Sequence, residues 1–316
     1  MQLARASAFL LVDGIKGRSA LTTSIPTLRH RHLPRAVQSS SSMIPTHTIG
    51  NFKARPLQDD ELRQYAPSIF ANRPMLGLSS RYIFVPTTEI VGGLREKNWL
   101  PVSAEQQRVR ISERIGFQKH LIRFRRAEQM QTLDDWNAEL VLTNSHDAAC
   151  AYVLRVGVYR RLCSNGLVAS GDSFEAIRFR HSGFQVDEVV RASFRILDYV
   201  PKMGALIERF RGQILTPTAA RTFVRSALLL RFVDLDSAPI APETLLEARR
   251  GEDQADDLWT VLNRTQEHLV RGGLQDSRRD RRGRLRRLRS LRGIDSKVVL
   301  NQALWRLAET TLAASN

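Results

Sequence analysis

Residues 140–168 read LVLTNSHDAACAYVLRVGVYRRLCSNGLV, and how this stretch is parsed decides the fold. Apolar runs enclose the tetrad Asn144-Ser145-His146-Asp147 and lead into a turn at Cys163-Ser164-Asn165-Gly166. Asn-Gly marks a turn because both residues tolerate left-handed backbone angles. The stretch therefore holds two strands, or a strand and a helix, around the tetrad. It is also the first place to look for a site.

Just upstream, His120-Leu121-Ile122-Arg123-Phe124-Arg125 alternates with the period of a half-buried antiparallel strand. Lys119, Arg123 and Arg125 fall on one face, where a row of cations suits a phosphate backbone. The competing reading is a solvated outer face, since no aromatic residue shares it for base stacking. Trp99 to Val109 is also extended and basic, so the two segments suggest a charged hairpin. Ser79 to Pro86 reads as a strand, and Thr87-Thr88-Glu89 then caps a helix carrying Ile90, Val91 and Leu94. An earlier short helix is marked by Leu62, Tyr65 and Ile69 behind Asp59, Asp60 and Glu61, acids that suit a helix N-terminus.

Downstream, Phe174 to Arg180 is a further strand, and after Gly183 the periodicity turns helical. Val186 to Phe210 is interrupted at Pro201, Pro217 opens another helix, and Glu243 to Arg249 forms a short one. Asp256 to Val270 reads as an amphipathic helix stopped by Gly272-Gly273, and Ser296 to Ala313 as the last. The expected class is α+β: a mainly antiparallel sheet with helices over 51–182, then a helical region over 183–316 that carries an arginine-rich loop at 278–292.

The chain has 316 residues, 42% of them hydrophobic, enough to bury a full core. Its 48 Lys and Arg against 32 Asp and Glu leave a formal charge of +16, a field that attracts polyanions. Nucleic acid is the natural first partner; the alternative is that arginines merely cover solvated faces. Residues 278–292 alone hold nine arginines and one aspartate, half of the net charge. Arg278, Arg279, Arg281, Arg282, Arg284, Arg286, Arg287, Arg289 and Arg292 are the leading candidates for nucleic-acid contacts, on a flexible arm or a segment ordered by binding. The competing role is a solubilising loop.

Two cysteines, Cys150 and Cys163, are too few for a disulfide framework and suit a reducing cytoplasm. No apolar run approaches the roughly 18 residues of a membrane-spanning helix, so a soluble protein is expected. Residues 1–50 are expected to be a disordered extension or a misassigned start: residues 1–42 hold six basic residues against the single acid Asp13, end in four serines, and precede Met43.

In the tetrad, His146 and Asp147 are the residue types of general acid and base chemistry, which a hydrolase or nuclease would use. The structural alternative is an Asx-type turn, in which Asn and Asp cap backbone groups. Cys163, near Arg160 and Arg161, has surroundings that favour a thiolate, against the plain reading of a small buried residue. His146, Cys150, Cys163 and His181 lack the spacing of a zinc finger or ribbon, so no metal is expected. No phosphate-loop, dinucleotide, zinc-protease or serine-hydrolase motif occurs, and no cofactor is called for.

Ten short segments run in order between about Asn51 and Glu309. They include Ala66-Pro67-Ser68-Ile69-Phe70, Val85-Pro86-Thr87, Leu142-Thr143-Asn144-Ser145-His146-Asp147, Cys163-Ser164-Asn165-Gly166-Leu167-Val168, Gln266-Glu267-His268-Leu269 and Leu300-Asn301-Gln302-Ala303-Leu304-Trp305. In these the chain resembles the phage- and plasmid-borne domain-of-unknown-function family nine-three-two. The resemblance implies a bacterial cytoplasmic protein carried by, or derived from, a mobile element, and it supplies no activity or catalytic residue. Residues 1–42 precede the family's usual start, and the arginine run is denser here than the family's loop. The expected function is nucleic-acid binding, with single-stranded DNA in view, in replication, recombination or defence evasion. A hydrolase or nuclease using residues 144–147, or a protein-binding inhibitor of a host system, are the competing classes.

Overall fold

The computed structural model describes residues 55–130, 134–161, 165–169 and 174–315; residues 1–50, Cys163 and Ser164 lie outside them. Helix α1 (Asp59–Tyr65) starts with a reciprocal cap, in which the Gln58 N–H donates to Glu61 Oε2 at 3.0 Å, and it buries Leu62. Helix α2 (Thr87–Glu96) buries Ile90, Val91 and Leu94 on one stripe. The strand expected at Ser79–Pro86 is absent. That segment opens with a turn, the Tyr82 N–H donating to Ser79 O at 2.9 Å, and then runs outside the sheet, tied by the Ile83 N–H to His181 O at 2.8 Å.

The sheet has six strands: β1 (Trp99–Gln106), β2 (His120–Arg126), β3 (Trp136–Asn144), β4 (Tyr152–Arg160), β5 (Asn165–Val168) and β6 (Ile177–Phe179). All pairings are antiparallel, in the order β1-β2-β3-β4, with β5 and β6 both on β4, along Gly157–Arg160 and Tyr152–Leu154 respectively. The stretch that opened the reading is thus a strand pair, with Leu142 opposite Leu154 and Thr143 opposite Val153. This register puts Leu140, Leu142, Leu154, Val156 and Val158 on the face that packs against the helices, all of them buried. A one-residue slip would drive Glu139 and Arg155 into that core instead.

The second face holds a smaller apolar cluster, Leu121, Val141 and Val168, covered by Ile294 and Val298 from the start of the last helix. On the first face, after β6, come α3 (Val186–Leu197), α4 (Val200–Gly212), with Pro201 in its first turn, and α5 (Pro217–Leu229), capped by Thr216. Helix α6 (Leu258–Arg271) departs from the amphipathic expectation: every residue from Leu258 to Leu269 is buried. A helix buried all round must pair its own polar side chains. Accordingly Glu267 bonds Arg250 at 2.6 Å, and Gln266 donates to Asn301 at 2.9 Å. Hairpin β7 (Gln275–Arg279) and β8 (Leu285–Arg287) follows, then α7 (Ile294–Ala314). Trp305 of α7 locks the helices together, packing edge-on against Phe174 and Phe210 at 5.9 and 5.6 Å.

Candidate functional site

The tetrad closes the β3–β4 connection. Asn144, Ser145 and His146 are fully buried and Asp147 nearly so. Asp147 Oδ1 accepts the Ala149 N–H at 3.0 Å, Ser145 Oγ accepts the Cys150 N–H at 2.9 Å, and Ala148 takes a positive φ of 60°. This is the geometry of an Asx-type turn. Asp147 also faces Arg114 at 3.6 Å.

His146 joins a cluster that spacing along the chain does not reveal. Thr87 Oγ1, at the first position of α2, lies 3.0 Å from Nε2 of His120, 3.0 Å from Nε2 of His146, 2.9 Å from the Tyr152 hydroxyl and 3.1 Å from Asn144 Nδ2. Ser68 Oγ meets His120 Nδ1 at 3.0 Å, and Asn144 Oδ1 meets His181 Nε2 at 3.0 Å. Tyr152 donates its proton to Val85 O at 2.7 Å, so toward Thr87 it acts as acceptor. One hydroxyl has one proton and two lone pairs, fewer than its four neighbours. His120 and His146 therefore compete for the same oxygen, and His146 Nδ1 is left without a hydrogen-bond partner.

Burial, reinforced by the neighbouring His146, holds His120 down to about 3. Burial and then His181 hold His146 to about 4, with Asp147 pulling weakly upward. Burial also lowers His181, which stacks on Tyr82 at 4.4 Å. All three imidazoles are neutral at pH 7. Of these three histidines, sequence reasoning singled out only His146, together with Asp147, as a candidate acid or base. The partners His120, Thr87 and Tyr152 lie 26, 59 and 6 residues from it along the chain. Among the described residues no three His, Cys, Asp or Glu side chains are placed to hold a metal ion. Arg160, expected to activate Cys163, is bonded to Asp253 at 2.5 Å.

Lys119, Arg123 and Arg125 do share the second face of the sheet, but they form no open cationic strip. Arg123 Nη1 bonds Glu139 Oε2 at 2.7 Å, and Arg125 bonds Glu139 Oε1 through Nε and Nη2 at 2.9 and 2.7 Å. The Arg125 guanidinium also lies 3.7 Å from the Tyr159 ring centroid. Lys119 pairs with Asp295 of α7 at 2.6 Å. Arg123 reaches over Gly166 to its carbonyl at 2.8 Å, and a Cβ built on that glycine would stand 2.1 Å from the Arg123 side chain. Gly166, which lies in β5 rather than in the turn expected from the sequence, therefore makes room for a largely buried guanidinium. Charge alternation showed the face; only the fold shows Glu139 opposite.

The arginine run is a hairpin rather than a loop. Asp280 Oδ1 accepts the N–H groups of Arg282 and Arg284 at 2.8 and 3.0 Å, and Gly283 takes φ of 75°, closing the turn between β7 and β8. Some of its arginines are anchors: Arg278 donates to Leu235 O at 2.7 Å, Arg286 to Ser237 O at 2.5 Å, and Arg284 pairs with Asp280 at 2.9 Å. Arg279 bonds Gly283 O at 2.8 Å across the turn. Arg281, Arg282, Arg287, Arg289 and Arg292 are exposed, with no carboxylate partner among the described residues. Beside the hairpin opens a groove of about 660 Å³, lined by Arg231, Phe232, Pro239, Leu285, Arg286, Arg287 and Arg289 among others. Arg231 is fixed there by main-chain carbonyls of Leu269 and Arg289, neutral acceptors that leave its charge uncancelled.

Comparison with known proteins points one way. The family described as Domain of unknown function (DUF932) matches residues 76–305. UPF0380 protein YfjQ of Escherichia coli (strain K12) is 35% identical over 258 residues, 82% of this chain and 92% of that protein. UPF0380 protein YafZ of the same strain is also 35% identical, with the same coverage. No solved structure matches the chain.

Proposed function

This chain belongs to the DUF932 family, a domain of unknown function, and we propose that it binds nucleic acid, with its arginine hairpin engaging the phosphate backbone. The observation that carries the reading is the contrast between two sets of arginines. Arg123 and Arg125 on the sheet share Glu139, whereas Arg281, Arg282 and Arg287 stand exposed on a hairpin held by Asp280 and by main-chain anchors, with Arg289 and Arg292 exposed just after it. Cations presented on a pre-formed element lose little entropy on binding a polyanion, and they release its counterions. Phe232 and Leu285 in the same groove offer apolar surface to unstacked bases, which favours single-stranded over duplex nucleic acid. A part in replication, recombination or defence evasion by a mobile element belongs to the same proposal and rests on the family resemblance.

Binding of a labelled single-stranded oligonucleotide, titrated with salt, tests it. Affinity is expected to fall with a log–log slope of about −0.7 per phosphate contacted, and replacing Arg281, Arg282 and Arg287 with Ala should flatten that slope. Absence of binding at low salt, or a slope indifferent to the substitutions, would overturn the reading.

A further inference from the structure

We propose that the second face of the sheet, beside the first turn of α7, carries a phosphate-binding site built by Arg155 and Arg178 with Lys119 and Thr143. Arg155 projects from β4 on this face, opposite Val141 of the smaller apolar cluster. Its one side-chain hydrogen bond runs from Nη1 to Thr143 Oγ1 at 2.9 Å, and its Nε is shielded from solvent with no acceptor. Arg178 sits opposite Val153 in the β4–β6 pair, so it emerges on the same face two residues from Arg155. It is exposed and has no carboxylate partner among the described residues. Asp295, a carboxylate that acts on Arg155, is hydrogen-bonded to Lys119 through contacts of 2.7 and 2.6 Å.

Two guanidinium groups thus lie close together, one half-buried, and the carboxylate that acts on Arg155, Asp295, is hydrogen-bonded to Lys119 instead. Desolvation and the charge of Arg178 both disfavour the Arg155 cation. An interior charge of this kind is costly unless a counter-charge meets it. Elsewhere on this face the chain meets that need from within: Glu139 lies between Arg123 and Arg125, and Asp295 meets Lys119. At Arg155 it supplies only a hydroxyl. Lys119, Arg155 and Arg178 against Asp295 leave two positive charges in excess, which match the two negative charges of a phosphate monoester, and planar guanidinium forks match its oxygens in pairs. The phosphate comes from a free phosphate or monoester, or from the terminus of a nucleic acid. Nothing in this site depends on the arginine hairpin.

The test is the melting temperature of the full chain in potassium phosphate against potassium chloride at equal ionic strength. Phosphate is expected to raise it by about 2–4 °C. Both Arg155→Gln and Arg178→Gln should abolish that shift, and Arg281→Ala with Arg282→Ala should leave it intact. Arg178 is exposed, so its variant keeps the test decisive if Arg155→Gln fails to fold. Competition of a 5′-phosphorylated oligonucleotide, but not its unphosphorylated twin, against phosphate would identify a strand terminus as the source; competition by neither would identify a free phosphate or monoester. A wild-type chain indifferent to phosphate, or a shift that survives in Arg178→Gln, would overturn the site.

Discussion

Arg125 of β2 and Glu139 of β3 share two hydrogen bonds of 2.9 and 2.7 Å, with the carboxylate wholly buried and the guanidinium nearly so. Glu139 also serves Arg123, so one acid pairs with two cations on this face. Glu139→Gln is expected to lower stability by about 3–5 kcal/mol, the cost of a buried ion pair broken by removal of one partner. Urea unfolding of the variant against the parent measures this, and a loss below 1 kcal/mol would mean water reaches both arginines.

Thr87→Val keeps the shape of its side chain while deleting the oxygen on which His120, His146, Tyr152 and Asn144 converge. Each buried group left unsatisfied costs about 1–3 kcal/mol. Thr87→Ser, which retains the hydroxyl, is expected to recover most of the loss in the same unfolding experiment.

The buried histidines set a pH dependence of definite sign. Their folded values, about 3 for His120 and about 4 for His146, lie below the ordinary 6.5. Above pH 6.5 both states are neutral and contribute nothing. As the pH falls below 6.5 the unfolded chain takes up protons that the folded chain refuses, so stability drops, by up to about 1.4 kcal/mol per pH unit for each histidine. The decline continues until the folded chain itself protonates near pH 4 to 3. Unfolding midpoints at pH 7, 6 and 5 should show the onset, and a flat profile there would contradict neutral burial.

Gly166→Ala forces a Cβ into the Arg123 guanidinium, which stands 2.1 Å from the position that atom would take. Arg123 must leave Glu139 or β5 must shift, at an expected cost of about 1–3 kcal/mol. Combining Gly166→Ala with Arg123→Ala would relieve the clash, so a double-mutant cycle is expected to give strongly non-additive losses.

Exposed arginines should behave in the opposite manner. Replacing Arg281, Arg282 and Arg287 with Ala is expected to change stability by no more than about 0.5 kcal/mol per site. The same protein should lose oligonucleotide affinity, and a variant that melted early would assign those side chains to folding instead.

Period and punctuation were legible in the linear chain. Alternation at His120–Arg125, the apolar runs around the tetrad, Pro201, Pro217 and Gly272-Gly273 mark strands, breaks and helices near where they lie, and the α+β class follows. These signals are local, because side-chain periodicity and backbone restriction act within a few residues. Ser79–Pro86 misleads for the same reason: its composition suits a strand, but no neighbouring strand edge receives it.

The order of residues established a strongly basic α+β chain of this family, with its charge concentrated at 278–292. It could not establish which charges are free. Arg125 and Arg287 look alike in a list, yet one faces Glu139 inside the sheet and the other faces water on a hairpin. His120, His146 and His181 likewise become one cluster only when β2, the β3–β4 turn and the segment after β6 meet over Thr87 and Asn144. A charge or an imidazole acquires its character from partners and desolvation, and both are set by contacts between residues far apart in the chain. Folding alone decides them.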